Sequence, residues 1–375
     1  MQFPKEITST IEVNVLLNRI KEVANILEHF PVEQTMIFSH ADHDGFTASA
    51  LINNYFNLIY DQKASVVFPH HKKSYQSVFA EIIQRKPALL LILDVLVSQH
   101  KRQLKKIVRR GTKVINMDHH DLLKLSHENY VDLNPHNWQI EYLNSSGLVW
   151  LVVREINPKY FDDRAWVAGV GAVQDYCIDD NAILFRTLME NGWITKISFD
   201  SLFDSKLMKI AKMINATISQ QRQEYVYNKI LEASITNNWN VLLKDKELKK
   251  HYKHHLNLLK TVQKDFTRKR RIFEDVRLVS YEFADNVEDA SLISDLCEKE
   301  RDPYVHFGYK NGLLSFRSLF IDYDVRKLAE LFGGSGPHPK VAGGKTKKGF
   351  NETVKRVYRF MSGKERQELL SKYLF

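Results

Sequence analysis

The chain has few cysteines, no long hydrophobic run and no signal-peptide pattern at its first residues. Only Cys177 and Cys297 are cysteines among 375 residues, which excludes a disulfide framework and a cysteine-rich zinc site. The apolar run 88–93, which ends at Asp94, is as long as any in the chain and far shorter than a membrane-spanning helix. A composition with 44% hydrophobic and 26% charged residues is typical of a globular protein with room for two domains. We therefore expect a reduced, cytoplasmic location and no membrane partner.

The excess of positive charge is concentrated in one part of the chain. The formal net charge is +9, which by itself is a weak indication of an anionic partner. Residues 244–271 hold a cluster of lysines and the run RKRR at 268–271. One interpretation is the solvated face of a helix. The other is a surface that follows phosphate groups, and it gains weight if the chain also holds a site for phosphate chemistry.

Hydrophobic patterning predicts a parallel α/β sheet in the first half of the chain. The predicted strands are 35–39, 66–68, 89–93 and 113–117. The predicted helices are 11–29, 46–58, 101–110, 145–156 and 166–176. The run 89–93 is wholly apolar, as in strands that helices cover on both faces. Strands that alternate with helices favour a parallel sheet with right-handed crossovers.

The second half is predicted to contain a helical connector and a smaller α/β domain with a mixed sheet. Residues 191–270 lack strand alternation and are rich in Lys, Gln, Asn and Leu, which favours helices. Alternation then predicts strands at 277–283, 304–309 and 312–317. A short helix at 325–332 precedes the glycine-rich run 333–344, which taken alone indicates a flexible turn. The predicted domains are 1–190, the connector 191–270 and 271–375.

Carboxylates and histidines follow the predicted strands at the points where the strands end. The candidate residues are His40, Asp42, Asp44, Asp94, Asp118, His119 and, further along, Asp175. Since the carboxyl ends of parallel strands meet at one edge of a sheet, these side chains can converge. Mixed carboxylates and imidazoles suit Mn²⁺ better than Ca²⁺. Two divalent ions at one site are the chemistry of phosphate-ester hydrolysis.

Each member of this set has an ordinary structural explanation when it is taken alone. A single Asp after a strand is more often a helix N-cap, and Asp44 followed by Gly45 is a common turn. In an extended loop Asp42 and Asp44 would project to the same side, and His43 would face away from the metals. The interpretation depends on the combination and its order.

The combination resembles the DHH phosphoesterase superfamily, which is named for the Asp-His-His triplet found here at 118–120. The segment 40–45 (HADHDG) is similar to its first motif, Asp94 to its second and Asp175 to its fourth. The segment 145–147 is similar to the helix start after the triplet. In the second half, 315–318 (SFRS) and 333–344 (GGSGPHPKVAGG) resemble the DHH-associated nucleic-acid-binding domain.

The resemblance implies a role for each of these residues. One metal ion would be held by His40, Asp42 and Asp94, and the other by Asp44, Asp94, His119 and Asp175. The catalytic pair would be His120, in contact with the scissile phosphate, and Asp118, which would orient the histidines.

The resemblance also implies substrate contacts in the second domain. The candidates are Arg317, Ser318, Gly334, Gly336 and His338. Arginine can hold a phosphate with two hydrogen bonds, and glycines bring backbone N–H groups close to it. Pro337 departs from the family pattern, in which Gly directly precedes His, and proline removes a donor and fixes φ. The position of His338 therefore depends on the conformation of this segment.

The expected function is Mn²⁺-dependent hydrolysis of short single-stranded RNA or DNA to nucleoside 5′-monophosphates, because motif one is similar to RecJ-type nucleases and B-type nanoRNases. RecJ enzymes bring a further OB-type domain, for which this chain has little room. One alternative is a RecJ-like exonuclease for single-stranded DNA. Others are a phosphatase for cyclic or linear dinucleotides or for 3′-phosphoadenosine 5′-phosphate, and an inactive nucleic-acid-binding relative. Sugar preference, polarity and oligomeric state stay open, a homodimer included.

Overall fold

The computed structural model describes residues 11–70, 73–141, 143–284, 287 and 292–363, without the side chains of 11–13, 199–200 and 337–338. The chain divides into two compact units, 1–253 and 254–375. The predicted fold class is confirmed, with a parallel sheet in the first unit and a mixed sheet in the second. The division into three domains stays a prediction. In the part of the chain that is described, no helix combines the length and apolar character needed to cross a bilayer.

The first unit is built on a five-stranded sheet in the order β2-β1-β3-β4-β5, with every pair parallel. Its strands are β1 Thr35–Ser39, β2 Ser65–Val67, β3 Leu89–Leu93, β4 Lys113–Met117 and β5 Tyr130–Asp132. The sequence predicted β1, β3 and β4 with these bounds and β2 within one residue, but not the three-residue strand β5. All five side chains of β3 are buried, as its apolar run indicates.

Helices cover both faces of this sheet and form most of the rest of the unit. They are α1 Ile11–His29, α2 His43–Tyr60, α3 Tyr75–Arg85, α4 Lys101–Val108, α5 Ser145–Ile156, α6 Pro158–Asp162, α7 Ala165–Gln174, α8 Ala182–Glu190, α9 Phe199–Phe203, α10 Lys206–Ile218, α11 Gln223–Ile235 and α12 Asn240–Lys244. Helix α2 packs against α5, α7 and α11. The first three turns of α2 are buried, so packing holds the N-terminus of this helix in one position.

Helix α13, Lys246–Lys269, begins in the first unit and ends in the second. The second unit holds a six-stranded sheet in the order β10-β11-β9-β8-β7-β6, in which only the pair β7–β8 is parallel. Its strands are β6 Arg271–Phe273, β7 Leu278–Glu282, β8 Val305–Lys310, β9 Leu313–Arg317, β10 Ser335–His338 and β11 Val341–Lys345. Its further helices are α14 Ile293–Glu300, α15 Arg326–Glu330 and α16 Phe350–Met361.

The glycine-rich run 333–344 is not the flexible turn that its composition indicates. Strands β10 and β11 pair antiparallel in this run, and β11 also pairs with β9. A Cβ atom on Gly334 would collide with the carbonyl oxygen of Gly343, and one on Gly336 with that of Val341. These two glycines therefore allow the close approach of the paired backbones, which is a structural reason for their presence.

Candidate metal centre

The chain turns directly from strand β1 into helix α2, and Asp42 is the N-cap. Its Oδ1 atom accepts a hydrogen bond from the backbone N–H of Gly45 at 3.0 Å, as N-cap side chains do. Its Oδ2 atom lies 2.6 Å from Nδ1 of His40. The expectation of an extended loop here is wrong, because His43 and Asp44 already belong to the first turn of α2. Asp42 and Asp44 therefore meet different partners.

Asp94 lies at the end of β3 and is central to the arrangement. Its Oδ2 atom is 3.5 Å from Nδ1 of His40, and its Oδ1 atom is 3.2 Å from Nε2 of His119. Its side chain is buried, and its φ is +60°. This left-handed conformation strains most residues but is tolerated best by Asn and Asp outside glycine. A buried carboxylate at a strand end in this uncommon conformation is typical of a functional site.

A second group of side chains surrounds Nε2 of His119. This atom lies 3.2 Å from Oδ1 of Asp94, 3.8 Å from Oδ2 of Asp175 and 3.9 Å from Oδ2 of Asp44. His119 and Asp44 are almost wholly buried. The structure thus brings together two groups of side chains that share Asp94. One is His40, Asp42 and Asp94, and the other is Asp44, Asp94, His119 and Asp175, as in the two sets that the resemblance implied.

The carboxylate of Asp44 is held at the N-terminus of α5. Its Oδ1 atom accepts hydrogen bonds from Nδ2 of Asn144 at 2.6 Å and from the backbone N–H of Ser146 at 2.9 Å. Its Oδ2 atom accepts one from the backbone N–H of Ser145 at 2.9 Å. The free N–H groups and dipole of a helix N-terminus stabilise an anion there. The sequence pattern predicted this helix start but did not indicate which anion it holds.

Asp118 contacts both histidines that follow it. Its Oδ1 atom accepts a hydrogen bond from the backbone N–H of His119 at 2.9 Å and lies 2.6 Å from Nδ1 of His120. The backbone carbonyl of His120 also accepts a hydrogen bond from Nδ2 of Asn134. Burial lowers the pKa of His120, but the attraction of Asp118 outweighs it and raises the pKa above the usual value. This favours a protonated, positively charged imidazole.

The sequence suggested that His43 faces away from the metals, but its side chain contacts the site. Its Nε2 atom lies 2.8 Å from Oδ1 of Asp175, and its Nδ1 atom lies 3.0 Å from Oδ1 of Asn215 in α10. Burial lowers the pKa of His43, but Asp175 outweighs this effect, and the result is a pKa of about 10. Asn215 lies inside a helix, and nothing in the sequence around it indicated this contact.

The chemistry of this donor set fits divalent cations. Three sets of side chains each bring one ligand atom within 4.8 Å of the others: His40, Asp42 and Asp94; Asp44, His119 and Asp175; and Asp94, His119 and His120. Burial raises the pKa of Asp44, and repulsion from the carboxylate of Asp94 adds to this effect. Among the described residues no lysine or arginine forms an ion pair with Asp44, Asp94 or Asp175. Buried like charges of this kind call for a bound cation.

One family model matches the part of the chain that carries this geometry. It is described as the DHH family, N-terminal domain, and it covers residues 34–167, which include every strand of the parallel sheet and the triplet 118–120. Residues 34–167 are a DHH-family N-terminal domain. The DHH domain thus contributes all the residues of the site except Asp175, which lies just beyond the matched segment at the C-terminal end of α7.

Sequence and structure comparisons find one kind of curated relative and several solved structures of the same fold. A putative SPbeta prophage-derived single-strand DNA-specific exonuclease, YorK, of Bacillus subtilis strain 168 is 25% identical over 229 residues. That alignment spans 58% of this chain and only 38% of YorK. RecJ of Thermus thermophilus in complex with Mn²⁺ superposes with a TM-score of 0.66 at 17% identity, over 92% of this chain and 55% of RecJ. A DHH domain structure described as a member of a family of ribosomal proteins gives a TM-score of 0.70 at 14% identity, over 95% and 94% of the two chains.

The predicted substrate residues of the second unit have partners within that unit. Arg317 is largely buried, and its guanidinium donates to Oγ of Ser294 at 2.5 Å and to the carbonyl of Phe316 at 2.8 Å. The hydroxyl of Ser318 donates to the carbonyl of Tyr323 at 2.6 Å. The side chain of His338 lies outside the described residues. A substrate role for Arg317, Ser318, Gly334, Gly336 and His338 stays a prediction.

Proposed function

We propose that this protein is a metal-dependent phosphodiesterase that removes nucleoside 5′-monophosphates from an end of single-stranded nucleic acid. The observation that carries the proposal is the position of Asp94. Its Oδ2 atom lies 3.5 Å from Nδ1 of His40, and its Oδ1 atom lies 3.2 Å from Nε2 of His119. A carboxylate in this position can serve two adjacent metal ions, which is the arrangement that phosphate-ester hydrolysis uses.

The proposal gives each group of side chains one task. His40, Asp42 and Asp94 would hold one ion, and Asp44, Asp94, His119 and Asp175 the other. Two divalent ions, with Mn²⁺ as our first choice, would supply an activated water and neutralise charge on the phosphate.

His120 and Asp118 would act on the substrate side of this centre. A protonated His120 would donate a hydrogen bond to a non-bridging phosphate oxygen, where negative charge develops during hydrolysis. Asp118 would keep the imidazole oriented through the 2.6 Å contact with Nδ1. Because Asp118 also accepts from the backbone of His119, it fixes both histidines relative to each other.

The length of the substrate separates two versions of the proposal. The first motif, residues 40–45, resembles that of B-type nanoRNases and supports short oligonucleotides, the nanoRNase-like version. The likeness to YorK, which is described as a single-strand DNA-specific exonuclease, favours longer single-stranded DNA as the second candidate. The same metal centre would also serve dinucleotides or 3′-phosphoadenosine 5′-phosphate. An inactive binding protein fits the site least well, because a binder has no use for two buried carboxylates and a partly buried one around one imidazole.

The test is product analysis by chromatography with RNA and DNA single strands of matched sequence, from dinucleotides to about 30 nucleotides. Mn²⁺, Mg²⁺ and a chelator are compared for the unaltered chain and for Asp94→Asn. We expect mononucleotides only with metal and only from the unaltered chain. Hydrolysis in the chelator, or equal turnover by Asp94→Asn, would reject the proposal. The rate as a function of length and sugar then separates its two versions.

A further inference from the structure

Helix α13 carries most of the net charge of the chain. Its 24 residues include eight lysines and arginines and two acids, a net charge of +6, against +9 for all 375 residues. The metal-dependent mechanism proposed above uses none of these side chains. Such a concentration of one sign in one helix is unfavourable unless the charges are hydrated or meet a polyanion.

The basic side chains lie on one face of α13. With about 100° of rotation per residue, seven of them fall within an arc of about 100°. They are Lys246, Lys249, Lys250, Lys253, Lys260, Lys264 and Arg268, and all seven are exposed. Glu247 and Asp265 lie beside this arc, where they pair with Lys250 at 3.5 Å and with Arg268 at 2.9 Å. We call this row of seven residues the basic stripe.

The opposite face of the helix is packed, which leaves the basic stripe exposed to solvent. Leu259, Val262 and Phe266 are buried in a hydrophobic cluster of the second unit with Val279 and Tyr281. Leu256 is the one large apolar side chain of α13 that is substantially exposed, at 36%. The helix therefore lacks the wide apolar surface that interfacial membrane helices insert into a bilayer. The stripe is therefore a mainly electrostatic surface, with Lys246, Lys249, Lys250 and Lys253 in the first unit and Lys260, Lys264 and Arg268 in the second.

We propose that the basic stripe binds the phosphate backbone of a single-stranded nucleic acid longer than a few nucleotides. The inference rests on the proposed function, because the bound strand is the substrate whose end is hydrolysed. Lysine side chains are flexible point charges, and a row with about one charge per turn matches a flexible chain of phosphates without reading its bases. Such binding is independent of sequence and strongly dependent on salt.

The first experiment measures binding without hydrolysis. Asp94→Asn is used in a chelator, with fluorescently labelled oligothymidylates of about 3 and about 30 nucleotides and salt from about 50 to 200 mM. The test variant adds Lys253→Gln, Lys260→Gln and Lys264→Gln, three stripe residues that form no ion pair among the described residues. The matched control instead adds Lys101→Gln, Arg102→Gln and Lys106→Gln, which removes three exposed charges from α4.

The expected result is specific to the stripe. Each phosphate contact on a single strand contributes about 0.7 to the salt slope, so the stripe variant should lower the slope for the long strand by about 2. Its affinity for that strand should fall about 10- to 100-fold at low salt, while the α4 control and the short strand change little. Replacement of the same three lysines by arginine should keep both the slope and the affinity.

Three results would overturn the inference. One is an equal loss of affinity in the stripe variant and the α4 control, which would assign the effect to total charge. Another is a long strand that binds no more tightly than the short one. Anionic vesicles and a polyglutamate peptide are run in parallel, and stripe-dependent binding to either, without binding to the strand, would also overturn it.

Hydrolysis by the protein with Asp94 intact is the separate readout for the proposed function. If the metal-loaded protein cleaves nothing while stripe-dependent binding persists, the catalytic proposal fails and the binding surface remains. If both proposals hold, the stripe variant should lose kcat/KM on the long strand and keep it on the short one.

Discussion

The Nε2 atom of His43 lies 2.8 Å from Oδ1 of Asp175, although the two residues are 132 positions apart. The other nitrogen of the ring lies 3.0 Å from Oδ1 of Asn215, so the imidazole is fixed from both sides. The second oxygen of Asp175 points to His119, at 3.8 Å from its Nε2 atom. His43 therefore orients a carboxylate of the proposed metal centre without belonging to any of the three ligand sets.

We predict that His43→Ala weakens binding of the divalent ion held by Asp175 by about 10- to 100-fold, as losses of such orienting contacts do. Competition with a fluorescent chelator measures the affinity. His43→Gln can keep a donor near Asp175, so it should recover part of the loss. Since the ring is buried, thermal unfolding of both variants is measured in parallel. An unchanged metal affinity in His43→Ala would contradict the orienting role.

We predict that Asp94→Asn and Asp94→Ala both abolish metal-dependent hydrolysis but differ in stability. The residue has φ of +60°, which Asn adopts at little cost and Ala at about 1 kcal/mol or more. Asn also removes a charge that repels Asp44. In a chelator, Asp94→Asn should therefore unfold at a denaturant concentration at least as high as the unaltered chain, and Asp94→Ala at a lower one. Equal midpoints for the two variants would mean that the backbone conformation carries no strain.

We predict that Gly171→Ala damages the metal centre although the residue binds nothing. A Cβ atom there would collide with Oγ of Ser146 and lie 2.7 Å from both Oδ1 of Asp44 and Oγ1 of Thr47. We expect a loss of about 1–3 kcal/mol in unfolding free energy, together with weaker metal binding. Gly349→Ala is the matched control, because its Cβ would meet open space. If both variants have the stability of the unaltered chain, the close packing of α7 on α2 is not required.

We predict that metal uptake releases protons and that metal affinity rises with pH. Burial lowers the pKa of His40 and of His119. For His40 the carboxylates of Asp42 and Asp94 outweigh this effect, and for His119 Asp94 and Cys177 do, so both pKa values lie above the usual 6.5. Burial also raises the pKa of Asp44. All three groups thus hold protons more strongly in the metal-free protein, and a metal ion must displace them.

Calorimetry at one pH in buffers with different ionisation enthalpies counts the released protons. We expect release at about pH 7, with tighter metal binding at about pH 8 than at about pH 6. Asp94→Asn, which should not bind the ions, gives the baseline heat. A binding heat that is the same in all buffers, with one affinity across this range, would contradict the prediction.

Local patterns predicted the elements of the first unit well where the pattern was long or wholly apolar. Strands β1, β3 and β4 have the predicted bounds. All five residues of β3 are apolar, and β1 (TMIFS) and β4 (KVINM) each hold three apolar residues, which favours a strand in a covered sheet. Strand β5 was missed because its only apolar residues, Tyr130 and Val131, stand between polar ones, whereas the predicted strand 66–68 is wholly apolar. The pairing of 335–338 with 341–345 was missed because glycines indicate turns locally, whereas here they relieve contacts that exist only in the folded sheet.

The sequence by itself determined the chemistry of the site. Apart from Asp175, which follows helix α7, the carboxylates and histidines come shortly after strands, and parallel strands bring their carboxyl ends to one edge. Only the tertiary structure decided how these groups divide. Because Asp42 caps α2, the side chains after it follow the helical repeat of 3.6 residues and not the two-residue repeat of an extended chain. Asp44 therefore points away from Asp42 and toward the N-terminus of α5. His43 then reaches Asp175 and Asn215, contacts between residues more than 130 positions apart, which depend on how the helices pack and leave no trace in the local pattern.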